Sequence, residues 1–377
     1  MDIIFRPSPA PTVGIEIELA LVDATTMALS SSVADVMARV PSDLAGCIKP
    51  ELMQCYIEIC SGISSSIAEA EKDLRAKVIA AEGIADELGL RLYWTGAHPF
   101  SRWHEQKVTR NERYEKLIER LQDMARQLVT FGLHVHVGLD SGGKAIMVCD
   151  RIMRHLPTLL ALSCNSPWWD GRVSGLRSHR SKIMEGLPTA GLPPALRNWS
   201  EFVWLMNHLI RTGFLESVRD IWWDVRPHYN FGTIEVRVCD TPLSIERAAA
   251  LASYARALAR YLLEERPFEP SQDVYRVYGY NRFLACRFGL EAEIIDPYER
   301  RKRLLAEDIG YTIGRVARYA DEEDGNTGLQ GLRDVAAERR GDSVVLRSRL
   351  TQSKSLSDVV RWAAELWMRG ENVKAPA

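Results

Sequence analysis

Hydrophobic and polar residues alternate in several short segments of the chain, as expected for half-buried β-strands. In Thr12–Val22 every odd-numbered position from Val13 to Leu21 is aliphatic, and the even-numbered positions carry Gly14, Glu16, Glu18 and Ala20. The same alternation predicts four further strands, each bounded by Gly, Pro or Asp, at Leu52–Cys60, Arg91–Gly96, Leu133–Leu139 and Thr233–Cys239.

Longer segments with helical spacing lie between these strands, at Ile67–Leu88, Glu112–Phe131, Gly143–Leu162 and Glu246–Glu265. Strands separated by long helices are typical of parallel βαβ folds, but no Gly-rich phosphate loop follows any of the strands. An antiparallel sheet is equally compatible with the pattern. After Glu291 the strand signals fade, so the pattern predicts helices to the end of the chain, with breaks near Gly325–Gly328 and Gly341-Asp342.

A segment rich in Gly, Pro, Arg and Ser runs from Ser166 to Pro194 and is too long for a simple connection. We expect it to form part of a site, because long structured loops in compact domains usually carry function. No internal repeat or low-complexity stretch is visible, which disfavours a solenoid or a disordered scaffold.

Composition narrows the class of protein. The 377 residues are 46% hydrophobic and 26% charged, as in an ordinary globular protein with a large core. The net charge of −2 gives no overall positive field, so nucleic acid is not an expected partner. Seven scattered cysteines, an odd number without a CxxC pair, indicate structural thiols in a reducing cytoplasm. No signal peptide or transmembrane span is predicted.

The polar faces of the strands carry the residues that suggest chemistry. Glu16 and Glu18 project from the same side of one strand, about 7 Å apart along the backbone. They form either a solvent-facing surface or a cation site. His134 and His136 repeat this geometry on another strand, where they are either metal or phosphate ligands or a hydrogen-bonded pair.

Two further strands add acids to this set. Glu235 and Arg237 share one face of their strand, either as a local ion pair or as a metal ligand beside an anion-binding guanidinium. Glu58 lies on the polar face of Leu52–Cys60, whereas Glu51 has the opposite parity and has to come from the preceding loop or across a bulge.

Oxygen-rich ligand sets of this kind suit magnesium or manganese. Two or more such ions are what phosphoryl transfer from ATP requires, because they neutralise the charge that develops on the phosphates. The same residues would also suit a metal-dependent hydrolase that activates water, or a non-catalytic ATP-binding sensor. The pattern of acids and histidines leaves these alternatives open.

Six segments of the chain resemble the YbdK-type carboxylate-amine ligases, also called glutamate–cysteine ligase type 2. They occur in the order of that family and extend from about Thr12 to Pro297. The segments are Thr12–Val22 (TVGIEIELALV), Thr95–Phe100 (TGAHPF), Phe131–Gly138 (FGLHVHVG), Ser166–Pro194, Trp223–Leu243 (WDVRPHYNFGTIEVRVCDTPL) and Asn281–Gly289 (NRFLACRFG).

This resemblance implies an α+β fold, with a glutamine synthetase-like antiparallel sheet funnel packed on helices. It implies a catalytic domain at residues 1–297 and a helical C-terminal extension at 298–377, as part of the same compact unit. It also implies a set of metal ligands for Mg²⁺ or Mn²⁺, namely Glu16, Glu18, Glu51, Glu58, His134 and Glu235.

The resemblance further assigns candidate roles around ATP. His136 would lie near the phosphates, and Arg237 near the transferred phosphoryl group or the substrate carboxylate. Further anion-binding candidates are Arg226, His228, Asn281, Arg282 and Arg287, each of which could instead form a structural ion pair. In the long loop, Trp168, Trp169, Arg172 and Arg177 are either pocket residues or, for the tryptophans, core. There the family often carries an acid after Gly-Arg, where this chain has Val173-Ser174.

The reaction implied is amide formation between an amino-acid carboxylate and an amine, through an acyl phosphate made from ATP. Glutamate and cysteine are the default substrates of the family, and activity on them is expected to be weak. The resemblance also implies a homodimer.

Overall fold

The computed structural model describes residues 2–8, 11–265, 272–320, 325–353 and 355–368. Its main element is a seven-stranded sheet in which every pairing is antiparallel. The sheet consists of β1 (Val13–Asp23), β2 (Ile48–Pro50), β3 (Tyr56–Cys60), β4 (Leu90–Tyr93), β5 (Gly132–Gly138), β10 (Val225–His228) and β11 (Thr233–Asp240). The α+β interpretation is therefore confirmed, and the parallel alternative is excluded.

The remaining strands form three small two-stranded sheets. They are β6 (Trp168–Trp169) with β7 (Arg172–Val173), β8 (Ala190–Gly191) with β9 (Trp222–Trp223), and β12 (Glu293–Asp296) with β13 (Arg301–Leu304). The α-helices are α1 (Val33–Met37), α2 (Ile67–Glu87), α3 (Glu112–Leu121), α4 (Asp123–Arg126), α5 (Gly142–Ile152), α6 (Leu156–Ser163), α7 (Arg180–Glu185), α8 (Trp199–Arg211), α9 (Ile245–Glu264), α10 (Gln272–Phe288), α11 (Leu305–Val316), α12 (Gly325–Glu338), α13 (Asp342–Ser353) and α14 (Leu356–Met368).

Strand β1 lies at the centre of the main sheet, whose order is β10-β11-β5-β1-β3-β2, with β4 pairing along the far end of β1. Its odd-numbered residues from Val13 to Leu21 are completely buried and belong to the main hydrophobic core with α2 and α9. Burial of each such side chain stabilises the fold by about 1.5–3 kcal/mol, and this fixes which face of β1 turns away from the helices. The glutamates of β1 therefore project from the opposite face.

A second hydrophobic cluster lies beside the main core, and we call it the end cluster. Its buried members include Leu52, Tyr56, Leu128, Phe131 and Leu346. The rings of Tyr56 and Phe131 meet edge to face, with their centroids 5.2 Å apart. The end cluster thus joins β3, the approach to β5 and the C-terminal helices.

Several predicted boundaries are wrong, for local reasons. The helix predicted at Glu112–Phe131 ends at Leu121, where Gln122 adopts a φ of 49°, and Thr130 is already extended against Ala97. The helix predicted at Gly143–Leu162 is divided between α5 and α6, and the second begins around a proline. Leu52–Cys60 is strand only from Tyr56, whereas Arg91–Gly96 is strand only to Tyr93.

The C-terminal part is mainly helical as predicted, but the hairpin of β12 and β13 was not expected after Glu291. A helix break does lie near Gly325, because the preceding helical segment ends at Tyr319 and α12 begins at Gly325, but Gly328 lies inside α12. A side chain at Gly328 would press on Ala250 of α9, with its Cβ 3.2 Å from the Ala250 Cα. Gly328 therefore permits close packing of two helices.

The C-terminal helices pack on the same core as the sheet. The carboxylate of Asp342 accepts a 2.9 Å hydrogen bond from the backbone N–H of Leu243, which follows β11. The indoles of Trp367 and Trp94 lie 5.7 Å apart. These contacts are consistent with the prediction that residues 298–377 form one unit with the catalytic part, and it stays a prediction. Residues 321–324, 354 and 369–377 of that range lie outside the described residues. Among the described helices, none is long and apolar enough to cross a bilayer.

A buried glutamate on α2 makes stability depend on pH. Burial raises the pKa of Glu82 to about 7, against the opposing influence of Arg91. The folded state thus binds this proton more tightly than the unfolded chain, so stability falls as pH rises from about 4.5 to about 7. Glu82→Gln should raise the free energy of unfolding at pH 8 by up to about 3 kcal/mol and leave it unchanged near pH 4. Denaturant unfolding at pH 4 and pH 8 measures this change, and exposed Glu87→Gln is the control. An equal gain in the free energy of unfolding at the two pH values would contradict the prediction.

Candidate active site

Strand register places the polar side chains of the sheet in successive rows across its open face. In the first row, Glu235 pairs with Arg226 on one side and His136 on the other. In the second row, Glu16 pairs with His134 and Cys60. In the third row, Glu58 pairs with Glu18 and Lys49. Successive rows are about 7 Å apart, because two residues separate them along each strand.

The rows contain sets of atoms close enough to share a cation. Ligand atoms lie within 4.8 Å of one another in the sets Glu16–His136–Glu235, Glu18–Glu58–His134 and Glu16–Glu58–Cys60. Within the described residues, both ring nitrogens of His134 and Nε2 of His136 have no hydrogen-bonding partner, although all are buried. The nearest oxygens of Glu16 lie 3.6 Å from His134 Nδ1 and 3.5 Å from His136 Nε2. Buried imidazoles that are free in this way suit metal ligation.

Burial and mutual repulsion act strongly on Glu18 and Glu58 of the third row and on Glu51 beside it. Burial would also raise the pKa of Glu16 in the second row, but His136 and His134 outweigh it and hold that pKa well below its usual range. Burial raises the pKa of Glu18, although Arg180 and Arg237 oppose the shift. Burial also raises the pKa values of Glu51 and Glu58, and repulsion from neighbouring glutamates adds to it. Burial and repulsion therefore disfavour the ionised form of three carboxyl groups in one cleft. A bound cation would stabilise that ionised form, so the group of acids suits a cation site.

Glu235 is held by two arginines. Arg226 Nε donates a 2.7 Å hydrogen bond to one carboxylate oxygen, and Arg237 Nη1 donates to the other. Burial would raise the pKa of Glu235, but these two guanidinium groups outweigh it and hold the pKa well below its usual range. Arg226 also donates to the backbone carbonyl of Ile221. Glu235 is thus ionised, and Arg226 is fixed more firmly than Arg237.

The rows form the floor of an open cleft with a volume of about 540 Å³. The cleft continues beyond the first row, where it is lined by His228 at the end of β10 and by Asn230 and Phe231 in the turn that follows. Beyond the third row the lining is mainly apolar and is the outer layer of the end cluster. This apolar wall consists of Leu52, Tyr56, Tyr114, Leu117, Leu128, Met184 and Trp222.

Most of the site residues predicted from the sequence meet in this cleft. They are Glu16, Glu18, Glu51, Glu58, His134, His136, Arg226, His228, Glu235 and Arg237. Glu51 follows β2 in the loop before β3, as its parity required. Its carboxylate accepts a 3.4 Å hydrogen bond from the hydroxyl of Tyr114.

Three anion-binding candidates lie outside the cleft, where other groups hold them. Asn281 bonds to the backbone N–H and C=O of Ile295 at 2.8 Å each, which anchors the small C-terminal hairpin. Arg282 is buried in ion pairs with Asp224 and Glu185 at 2.7 and 2.8 Å. The guanidinium of Arg287 lies over the ring of Phe288. None of the three side chains lines the cleft.

The long loop contributes to the cleft, but not through the residues expected. Trp168 and Trp169 are buried in the end cluster, so the core interpretation applies to them. Arg177 forms an ion pair with Glu291, and Arg172 is exposed on β7. Of the loop, Arg180 and Met184 line the cleft instead.

Arg180 is the main site residue that sequence analysis did not single out. Its guanidinium is buried and donates to the backbone carbonyls of Val238 and Arg237 at 3.4 and 3.2 Å. Its charge is the largest opposing influence on the pKa of Glu18. A sequence signal was present, because Arg180 lies in the quoted loop segment, but no periodicity distinguishes it from Arg172 or Arg177. The cleft is also lined by four residues that the sequence analysis did not predict, namely Lys49, Arg113, Tyr114 and Arg219.

The guanidinium of Arg180 packs against Gly132, where there is no room for a larger residue, and this packing can be tested by mutation. A Cβ at Gly132 would collide with the guanidinium of Arg180, and the backbone hydrogen bonds of that guanidinium leave it little room to move. Gly132→Ala should therefore cost about 1–3 kcal/mol of stability and lower kcat, measured by thermal denaturation and steady-state kinetics. Gly143→Ala is the control, because the space around that Gly is open. Unchanged stability and kcat in Gly132→Ala would exclude this packing role.

Comparison with solved structures defines the class of fold. A glutamate–cysteine ligase of Francisella tularensis, solved with AMP, superposes with a TM-score of 0.73 at 13% identity, over 98% of this chain and 91% of that one. A bifunctional glutathione synthetase of Pasteurella multocida gives a TM-score of 0.72 at 13% identity, over 95% of this chain and 52% of that one. The fold is that of the glutamine synthetase-like ligases.

Sequence comparison identifies the family. The model of glutamate–cysteine ligase family 2 matches residues 12–359, and the chain belongs to this family. A relative from an Acidovorax species is 38% identical over 98% of this chain and 99% of its own length. One from Gloeobacter violaceus is 37% identical over 96% and 98%. Both carry the provisional name glutamate–cysteine ligase 2. The protein is accordingly an ATP-dependent carbon–nitrogen ligase, a class that acts on small amino-acid substrates.

Proposed function

We propose that this protein joins an amino-acid carboxylate to an amine through an acyl phosphate made from ATP. The observation that carries the proposal is the arrangement of the cleft floor. Three sets of possible cation ligands, each shared between neighbouring rows, lie in the same cleft as Arg237 and Arg180. Phosphoryl transfer needs this combination of positioning and positive charge, and it requires no nucleophile from the protein.

In this mechanism a substrate carboxylate oxygen attacks the γ-phosphorus of ATP in line, and ADP leaves. Arg237 stabilises the charge on the transferred group, because its guanidinium is a planar fork matched to two oxygens. Arg226 holds Glu235 in place from the other side, and His136 lies at the phosphates. The amine then attacks the acyl carbon and displaces phosphate, which yields the amide.

The residues fit divalent cations. The buried nitrogens of His134 and His136 lie beside the carboxylate of Glu16, and burial together with repulsion from Glu16 raises the pKa of nearby Glu58, whose ionised form a cation would stabilise. We assign Glu16, Glu18, Glu51, Glu58, His134 and Glu235 as the ligands, with Mg²⁺ or Mn²⁺ as the ions. When bound, such ions neutralise charge on the phosphates of ATP.

Glutamate and cysteine are the first substrate pair to test, since both named relatives carry the name of that activity. We expect weak activity on this pair. Val173 and Ser174, which stand where the family often carries an acid, do not line the cleft.

An isotope experiment tests the acyl phosphate directly. A carboxylate substrate labelled with ¹⁸O should transfer one labelled oxygen to inorganic phosphate when ATP and an amine are present, because the acyl phosphate retains that oxygen at cleavage. ADP release should depend on both the carboxylate and the amine. Unlabelled phosphate released at full rate would contradict the proposed mechanism. The relatives reported above are ligases and give no support to the hydrolase or sensor interpretations.

Two further properties are part of this proposal. All seven cysteines have free thiols, and six of them are buried, which fits a reducing cytoplasm. We also propose a homodimer, for which the edge strands β2 and β10 of the main sheet offer backbone groups for pairing. Light scattering at micromolar concentration tests the dimer, and a mass near 42.6 kDa would exclude it.

A further inference from the structure

Phe231 has an unusual position for a large apolar side chain. Its ring is 57% exposed, and among the exposed large apolar residues of the described chain it is the one that lines the active-site cleft. It lies on the turn between β10 and β11, beyond the first row of metal-ligand residues. An exposed aromatic ring costs solvation free energy, so its placement at the mouth of a site points to a ligand.

The ring is held in place rather than left free. It stacks on the imidazole of His228 with a centroid separation of 4.0 Å and an interplanar angle of 17°. The edge of His136 supports both rings, at 5.5 Å from His228 and 5.6 Å from Phe231. His136 is fixed in turn by a 2.9 Å hydrogen bond between Nδ1 and Thr233 Oγ1. One face of a preorganised aromatic stack therefore remains open to the cleft.

The backbone of this turn is also pinned. The N–H of Arg6 bonds to the carbonyl of Tyr229, and the N–H of Leu139 bonds to the carbonyl of Gly232, both at 2.9 Å. Gly232 has a φ of 66°, and any Cβ there would collide with the carbonyl of Arg6. The turn thus fits against the N-terminal segment only with glycine at this position. A rigid platform loses little conformational entropy when a flat ligand stacks on it.

From this geometry we infer that the stacked rings of Phe231 and His228 bind the base of the nucleotide, and so fix the direction of ATP in the cleft. The inference rests on the proposed function. The base lies over Phe231, the phosphates extend past His136 into the rows, and the γ-phosphate points toward Glu18 and Arg237. The acid and the amine then enter from the opposite end, where the apolar wall begins.

The ligand chemistry also predicts what this platform does not do. Stacking uses the π-face that every base possesses, so Phe231 supplies affinity without choosing between adenine and guanine. The polar atoms of the phosphates do not contact the phenyl ring. Loss of the ring should therefore weaken binding of nucleotides but not of the phosphate chain alone.

Calorimetric titration of the full-length protein in Mg²⁺ with ADP, GDP and tripolyphosphate tests the inference. Phe231→Ala should lower the affinity for ADP and for GDP by roughly tenfold, which is within the range found for base–aromatic stacking. The affinity for tripolyphosphate should not change. Phe231→Trp should retain nucleotide affinity, and Phe214→Ala, at an exposed aromatic outside the cleft, is the matched control. In kinetics, Phe231→Ala should raise KM for ATP and not those of the acid or amine.

The outcomes separate this inference from the proposed function. Unchanged ADP binding in Phe231→Ala, or equal losses for ADP and tripolyphosphate, would overturn the platform and leave the ligase intact. A raised KM for the amine alone would assign Phe231 to the other substrate and overturn it as well. If the folded wild-type protein does not bind ADP, the cleft is not a nucleotide site, and both proposals are wrong.

Discussion

Glu18→Gln is expected to lower kcat by roughly 10²–10³ and at the same time raise the melting temperature of the metal-free protein. Glu18 lies in the third row, where its side chain accepts a hydrogen bond from the backbone N–H of Gly132 and faces Glu58 across the strands. Glutamine keeps the volume and can accept the same bond, but it removes one negative charge from a crowded cation site. Charge repulsion in the empty site falls, while cation binding weakens.

The measurement has two parts. Steady-state kinetics at saturating ATP give kcat, and thermal denaturation with and without Mg²⁺ gives the stabilisation by the ion, which should be smaller in Glu18→Gln than in the wild type. Exposed Glu119→Gln on α3 provides a control that should change neither quantity. Wild-type turnover in Glu18→Gln would show that the carboxylate is not a ligand.

Arg237→Lys is expected to reduce kcat and kcat/KM together by roughly 10²–10³, with little change in ATP affinity or melting temperature. Arg237 donates to Glu235 through Nη1, while its Nε has no partner among the described residues and the side chain lines the cleft. Lysine retains the charge and can still approach Glu235. It cannot present two donors in a plane to a phosphoryl group in transfer.

Arg282→Lys supplies the matched comparison for Arg237. Arg282 is more deeply buried than Arg237 and is likewise paired with acids, Asp224 and Glu185, but it lies outside the cleft. It should show the reverse pattern, with a lower melting temperature and near-normal kcat in the folded protein. If Arg237→Lys behaves like Arg282→Lys, then Arg237 is a structural residue and the proposed transition-state contact is wrong.

Alternation along the strands was sufficient to predict which face of the sheet carries the acids and histidines. Because burial of Ile15, Ile17 and Leu19 determines one face, Glu16 and Glu18 had to project from the other. Their assembly with His134 and Glu235 required strand pairing, which local sequence does not encode; the family resemblance supplied it. Arg180 shows the same limit more clearly, since only the long loop folding back over Gly132 brings it to the cleft.

The errors share a different cause, namely tertiary contacts that override a local pattern. Asn281, Arg282 and Arg287 form part of a motif with the appearance of an anion site. Asn281 instead bonds to the C-terminal hairpin, Arg282 pairs with acids outside the cleft, and Arg287 lies over Phe288. Gly328 lies inside α12, where a Cβ would crowd Ala250 of α9, so a glycine that could end a helix here serves close helix packing. Neither outcome follows from propensity within a window of a few residues.

In the binding direction inferred above, the acid and the amine enter where the apolar wall lies. Residues of this wall also belong to the hydrophobic end cluster, and this dual role constrains how the pocket can change in evolution. Leu52 and Leu128 are only 5% and 7% exposed, so truncating either to enlarge the pocket would leave a cavity costing about 2–5 kcal/mol. Met184 and Leu117 are half-buried and can be exchanged at a lower cost in stability. Substitutions that change the preferred acceptor should therefore arise first at positions 117 and 184. Libraries for directed evolution of acceptor specificity should target these two positions first.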